Sequence, residues 1–398
     1  MHARVFSILA ASMLSMVAAT AGELTGYISA EGDLFFHDPL YAHQEDQDFS
    51  AFAQAEYYQT WGSHSSVAFV PFGRIDAADP DRTHADIREL NYVYRQDNWY
   101  TRLGIGKVFW GATEFVHLID IINQTDLIED IDQEEKLGQP MAEFSISPSW
   151  GRVEFFLLPY FRERTFPSEK GRLRPETPID TDAAFYQNTS GQRNMDIAVR
   201  YSRTISTADL GIYFFHGTNR EPWLVPADVL DPNDTGPSRL IPFYEQMNQI
   251  GVDAQWVRGN WLWKFEGFYR EGTVDDFFAA TSGGEYTFFG VAGSNTDLGL
   301  LAEYAYDGRN NDAALFQNDL FVGLRLAPND AAGTQVLAGF GQDLDGPENA
   351  VRIEASRRIG SQFKLSLEAW LFLNSEPGSV QYDLRDDDFA RLTLSYFF

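Results

Sequence analysis

The sequence predicts an all-β chain: a transmembrane antiparallel up-and-down β-barrel of about 18 strands, with 16 the neighbouring even count. Three observations lead there. From Leu24 onward, apolar or aromatic residues recur at every second position over segments about 10 to 13 residues long, the period of a strand. The links between these segments alternate regularly between very short and long. After the N-terminus, no stretch reaches the roughly 18 consecutive apolar residues that a spanning helix needs.

The elements follow in chain order. Residues 1–21 hold one charge, Arg4, then an apolar run from Val5 to Ala18 and the ending Ala19-Thr20-Ala21, the pattern of a signal peptide cleaved before Gly22. Short links are expected at Trp61 to His64, Gln96 to Asn98, Pro148 to Gly151, Thr204 to Thr207, Arg258 to Asn260, Ser294 to Thr296, Pro328 to Ala332 and Gly360 to Gln362. Longer ones fall at His37 to Asp48, Asp76 to Thr83, Gly111 to Gln139, Arg164 to Gln192, Thr218 to Tyr244, Thr273 to Ser282, Gly308 to Leu315, Asp343 to Asn349 and Asn374 to Asp388. Eight turns and nine loops join 18 strands in a single domain, residues 22–398. Tight turns at one end and long polar loops at the other separate a membrane barrel, with its short periplasmic and long extracellular connections, from a sandwich or propeller.

Membrane physics accounts for the composition. In lipid every backbone polar group must be paired internally, so a spanning sheet has to close. Only one face of each strand then meets lipid, which reconciles 44% hydrophobic residues and a mean hydropathy of −0.30 with a membrane protein. Trp99, Trp261, Trp263, Tyr269, Tyr304, Tyr306, Tyr396 and Phe398 fall near strand ends, as interfacial girdles require. With 58 acidic against 30 basic residues the net charge is −28, which argues against a nucleic-acid partner. The absence of cysteine excludes disulfides and thiolate metal sites.

The chain ends Phe389-Ala390-Arg391-Leu392-Thr393-Leu394-Ser395-Tyr396-Phe397-Phe398, an alternating strand closed by phenylalanine. This resembles the C-terminal assembly signal of Gram-negative outer-membrane β-barrels, and the whole mature chain resembles the porin or porin-like channel family of 16 to 18 strands. Gly106-Lys107-Val108-Phe109-Trp110-Gly111, followed by Asp120 to Asp126, also resembles an element of proteobacterial porin-like proteins. The resemblance implies the cell outer membrane as location. It implies outer-membrane lipid, lipopolysaccharide, the barrel-assembly machinery (through the strand ending at Phe398) and small polar solutes as partners, and leaves monomer and homotrimer both open. The strand pattern begins two residues after the expected cleavage site, leaving no plug domain.

Residues 112–140 combine Phe115, Val116, Leu118, Ile119, Ile121 and Ile122 with eight acidic residues against one base, Lys136. Six large apolar side chains call for packing, as a short helix, and the segment resembles the constriction loop of porins; an external loop packed on its neighbours is the competing reading. Taking the apolar set of each strand as outward puts Arg74, Arg95, Arg102, Arg162, Arg200, Lys264, Arg325, Arg352, Arg358, Lys364 and Arg391 on the lumen wall. The same parity puts Glu56, Glu89, Glu143, Glu154, Asp253, Glu266, Glu303, Glu354 and Glu368 there. At the constriction, Arg95, Arg102, Arg162 and Arg200 are expected to oppose Asp126, Glu129 and Asp130. Such a transverse field favours small polar or zwitterionic solutes.

Seven histidines show no metal spacing, and no catalytic elbow, phosphate loop or cofactor motif is present. Asp130-x-Asp132-x-Glu134 and Asp343-x-Asp345-Gly346 lack the spacing of a calcium loop. The expectation is a non-enzymatic porin for passive diffusion of small polar solutes or ions. One alternative is a specific transporter for hydrophobic or aromatic compounds, motivated by inward Phe52, Phe156, Phe215, Phe268 and Trp370. Another is an outer-membrane enzyme with a loop-borne site.

Overall fold

Alternating segments of 7 to 15 residues pair in chain order into one closed 18-stranded sheet. The computed structural model describes residues 22–233, 236–309 and 316–398; the signal-peptide expectation, residues 1–21, lies outside them. The first seven strands are β1 (Glu23–Phe35), β2 (Gln47–Trp61), β3 (Ser65–Asp76), β4 (His84–Arg95), β5 (Trp99–Gly106), β6 (Gln139–Ile146) and β7 (Arg152–Leu158). The two-residue strand β8 (Phe185–Tyr186) stands outside the barrel, which continues with β9 (Asp196–Ile205) and β10 (Ala208–Thr218). Strands β11 (Trp223–Pro226) and β12 (Leu240–Tyr244) join β8 in a small separate sheet within the long loops 159–195 and 219–245. The remaining wall is β13 (Gln246–Arg258), β14 (Trp261–Glu271), β15 (Asp276–Phe288), β16 (Asp297–Asp307), β17 (Asn318–Ala327), β18 (Gln335–Asp343), β19 (Asn349–Ile359), β20 (Phe363–Leu373) and β21 (Phe389–Phe397).

Closure is made by β1 against β21, antiparallel from Tyr27 opposite Phe397 to Phe35 opposite Phe389. The seam continues one step further, where Gly26 and Phe398 exchange backbone hydrogen bonds at 3.1 and 3.0 Å. No wall strand is left with a free edge, which is the condition for crossing lipid. Ile28, Ile212, Phe214, Leu300, Val322 and Leu392 project outward, while their neighbours Ser29, Tyr213, Phe215, Leu301, Phe321 and Arg391 are buried inside. The expected 18 strands and alternating connections are both present, and the apolar outer belt makes this an integral membrane barrel. Several boundaries differ from expectation, and the loops drawn from Gly111 and Arg164 begin earlier, at residues 107 and 159. The loop drawn from Thr273 to Ser282 shrinks to residues 272–275, because Phe277 turns inward and Phe278 outward, already in strand alternation. The turn drawn at Ser294 to Thr296 widens to residues 289–296, with a 3-10 turn at Val291–Gly293.

Candidate functional site

The wall that faces the lumen carries one irregularity that decides which charges enter it. Between β3 and β4, Val70 pairs with Glu89 but Pro71 pairs with Ile87, so Arg88 is an extra residue on β4. Pro71 has no N–H to continue the ladder, and the bulge re-aims the strand. Arg88 and Asn91 are both buried on the inner side, whereas Ile87, Leu90 and Tyr92 are exposed outside. Strict alternation from either end cannot place both inner residues, and counting back from the end of β4 turns Arg88 outward.

Residues 107–138, between β5 and β6, run against the inner side of this wall. Their first limb is apolar: Trp110, Ile119, Ile121 and Ile122 pack on Met141, Phe156, Leu158, Ala198, Tyr213, Phe215 and Met247, which belong to β6, β7, β9, β10 and β13. Farther along, Phe115 stacks on Phe321 at 5.5 Å between ring centroids, and Val116 joins the same cluster. The expected short helix is not formed: residues 112–138 contain turns but no helix. Backbone donors that a helix would pair internally are met by wall carboxylates instead. Glu266 of β14 accepts from the N–H groups of Ala112, Thr113, Leu118 and Ile119, and Glu303 of β16 from those of Glu114 and Phe115.

The second limb is acidic and meets arginines from the opposite part of the wall. Asp126 lies 2.6 Å from Arg88, Glu129 2.7 Å from Arg74 and 2.7 Å from His84, Asp130 2.7 Å from Arg391, and Asp132 2.5 Å from Arg352. Burial alone would raise the Glu129 carboxyl, but the hydrogen bond from His84 and the charge and hydrogen bonds of Arg74 hold it down at about 2. Burial and the neighbouring Asp130 push Asp132 upward, against the pull of Arg352.

The acidic half of the expected opposition is thus engaged, but with other bases. Arg102 pairs with Glu143 at 2.5 Å, Arg200 with Asp253 at 2.8 Å and Arg162 with Asp86 at 3.0 Å. Arg162 sits in the loop 159–195, beyond the end of β7, and Arg95 lies over the Tyr100 ring at 4.9 Å. None of these four arginines is bonded to Asp126, Glu129 or Asp130 within the described residues; each is taken by the acceptor or ring just named. The partners found instead include Glu31 and Asp33 of β1, which with Arg74, Arg82 and Arg391 form a buried network. Glu31 and Asp33 share the parity of Ser29 and were legible by alternation. Arg82 lies in the loop before β4, where alternation says nothing.

Between the two limbs and the wall of β17–β21 and β1–β4 remains a cavity of about 660 Å³. Nine acidic side chains line it, among them Glu114, Asp130, Asp132, Glu134 and Glu135 of the inserted segment, against seven basic ones that include Arg74, Arg325, Arg352, Lys364 and Arg391. Of the inward aromatics, Phe156, Phe215 and Phe268 are buried beneath the inserted segment, while Phe52 reaches the cavity with Arg74 stacked over its ring at 4.2 Å. Trp370 lies under Arg352, 5.2 Å from ring centroid to guanidinium. His84, Asp126 and Glu129, and separately Asp130, Asp132 and Glu368, bring potential ligand atoms within 4.8 Å of one another. In both groups arginines already meet the carboxylates.

No protein-family model and no curated protein sequence matches the chain. Among solved structures it is similar to OccD3 (OpdP) of Pseudomonas aeruginosa, with a TM-score of 0.54, 11% identity and coverage of 96% of this chain and 93% of that one. A BenF-like porin from Pseudomonas fluorescens Pf-5 superposes with a TM-score of 0.53 at 9% identity, covering 95% of this chain and 98% of that one. The fold is that of an outer-membrane porin. Wzi of Escherichia coli, described as a carbohydrate-binding β-barrel involved in group 1 capsule assembly, shares the architecture at a TM-score of 0.52 and 10% identity, over 92% of this chain and 83% of that one. A porin barrel of this width has its polar face turned to the lumen and its apolar face to the outer-membrane lipid.

Proposed function

We propose that the protein is an outer-membrane channel for passive diffusion of small polar solutes or ions, with residues 112–140 as the constriction. The observation that carries this reading is the cavity of about 660 Å³ enclosed between the acidic limb and the arginine-bearing wall. Mixed, closely spaced charges keep such a passage wet and make entry of an apolar solute costly, because each step would desolvate ionised groups. Arg74, Arg88, Arg352 and Arg391 then take the role first assigned to Arg95, Arg102, Arg162 and Arg200, opposite Asp126, Glu129, Asp130 and Asp132. The acidic excess of the chain as a whole, 58 acidic against 30 basic residues, gives the passage a mild preference for cations. Burial of Phe156, Phe215 and Phe268 under the inserted segment leaves little of an aromatic path for the alternative hydrophobic substrate.

Purified protein in a planar bilayer under a salt gradient tests the reading. The expected result is steady open-channel current with a reversal potential on the cation side. A bilayer that stays silent although the protein retains its β-structure would overturn it.

A further inference from the structure

Glu266 is wholly buried and, among the described residues, has no base within ion-pair distance; of the lumen carboxylates Glu303, nearly as buried, shares both features. One of its oxygens accepts from the N–H groups of Ala112 and Thr113 at 2.6 and 2.9 Å, with the Thr113 hydroxyl also 2.6 Å away. The other accepts from those of Leu118 and Ile119 at 2.8 and 3.3 Å. Residues 112–119 therefore fold back around a single side chain, and four backbone donors that no helix or ladder satisfies are met by it. The loop so formed carries Glu114 into the cavity, where it pairs with Lys264 at 3.0 Å and Arg325 at 2.6 Å.

We propose that Glu266 is the positioning residue that fixes the channel's aperture, by clamping residues 112–119 to β14 so that Glu114 stands in the passage. Glu303 is the secondary clamp, holding the N–H groups of Glu114 and Phe115 from two strands away at 2.9 to 3.1 Å. The proposal rests on the channel reading of the lumen, but the clamp itself is independent of what passes. Both oxygens must accept, so the isosteric Glu266→Gln change turns one pole into a donor that faces two N–H groups. Buried donors left without an acceptor lose several bonds to a charged group at once, and the limb is released while the wall strands keep their ladders.

The test uses the full-length protein and exploits its lack of cysteine. Val116→Cys, buried in the clamped limb, is labelled with a water-soluble maleimide with and without Glu266→Gln, and single-channel current is recorded for the Glu266→Gln protein. Labelling at least about tenfold faster, with larger and noisier unit current than the unsubstituted protein, is the expected result. Glu303→Gln and Glu266→Asp, which keeps two acceptors on a shorter reach, should give smaller changes in the same direction, and they decide the matter if Glu266→Gln does not fold. Unchanged labelling and unit current, even with a lowered unfolding midpoint, would show Glu266 to be structural only and overturn the proposal. If the unsubstituted protein passes no current, the channel reading fails while labelling still decides the clamp.

Discussion

Gly323 and Gly339, on adjacent strands β17 and β18, leave the slot that receives the Phe115 ring. A Cβ built on either would come within 2.7 and 2.6 Å of that ring. Glycine inside a strand weakens it, and here the compensation is the close approach of another segment. Gly339→Val should therefore destabilise the barrel by about 1–3 kcal/mol through overpacking, although valine suits a strand far better than glycine does. Urea unfolding in detergent checks this; a gain in stability would mean that Phe115 does not occupy the slot. These two glycines were visible in the sequence as interruptions of good strands, but what they make room for lies some 200 residues earlier.

At the scale of the element, the second limb is held by ion pairs rather than by apolar packing, and its attachment should depend on pH. The Glu129 carboxyl is lowered in the folded state from its ordinary 4.5 to about 2. A group lowered on folding contributes stability that is complete above its unfolded value and is lost as pH falls towards the folded one. The limb should therefore stay docked at neutral pH and loosen between about pH 4.5 and 2, seen as increasing pepsin cleavage within 124–137. Glu129→Gln should show that cleavage already at the upper end of the window and flatten its pH dependence. The opposing arginines come from β3, β4, β19 and β21, elements separated by most of the chain. Sequence alternation named Arg74, Arg352 and Arg391 as wall residues but could not say which of eleven bases the limb would reach. Arg88 it names only when counted from the start of β4, since the bulge opposite Pro71 shifts the period part-way along the strand.

For the whole molecule, inside and outside are reversed relative to a soluble fold, and substitutions should obey the reversal. Val322, outward at the middle of β17, faces lipid, so Val322→Arg should cost about 2–4 kcal/mol. Ser366, inward on β20 and lining the cavity, should accept Ser366→Arg within about 0.5 kcal/mol, while shifting the reversal potential away from cations. Unfolding midpoints and bilayer recordings of the two variants separate these effects; equal destabilisation would mean that the two faces have been misassigned.

Alternation and loop length alone carry the all-β class, the count of 18, the segregation of short and long connections and most of the division between lipid and lumen faces. All of these are consequences of a period of two and of the solvent on each side, which are local properties. The course of residues 107–138, the absence of a helix within them, and the pairing of Asp126, Glu129, Asp130 and Asp132 with Arg88, Arg74, Arg391 and Arg352 emerge from the folded barrel. Those contacts depend on how far the sheet curves before it closes, on a one-residue bulge and on a slot between two glycines. Curvature brings strands at opposite ends of the chain across the lumen from one another, and no local pattern records that distance.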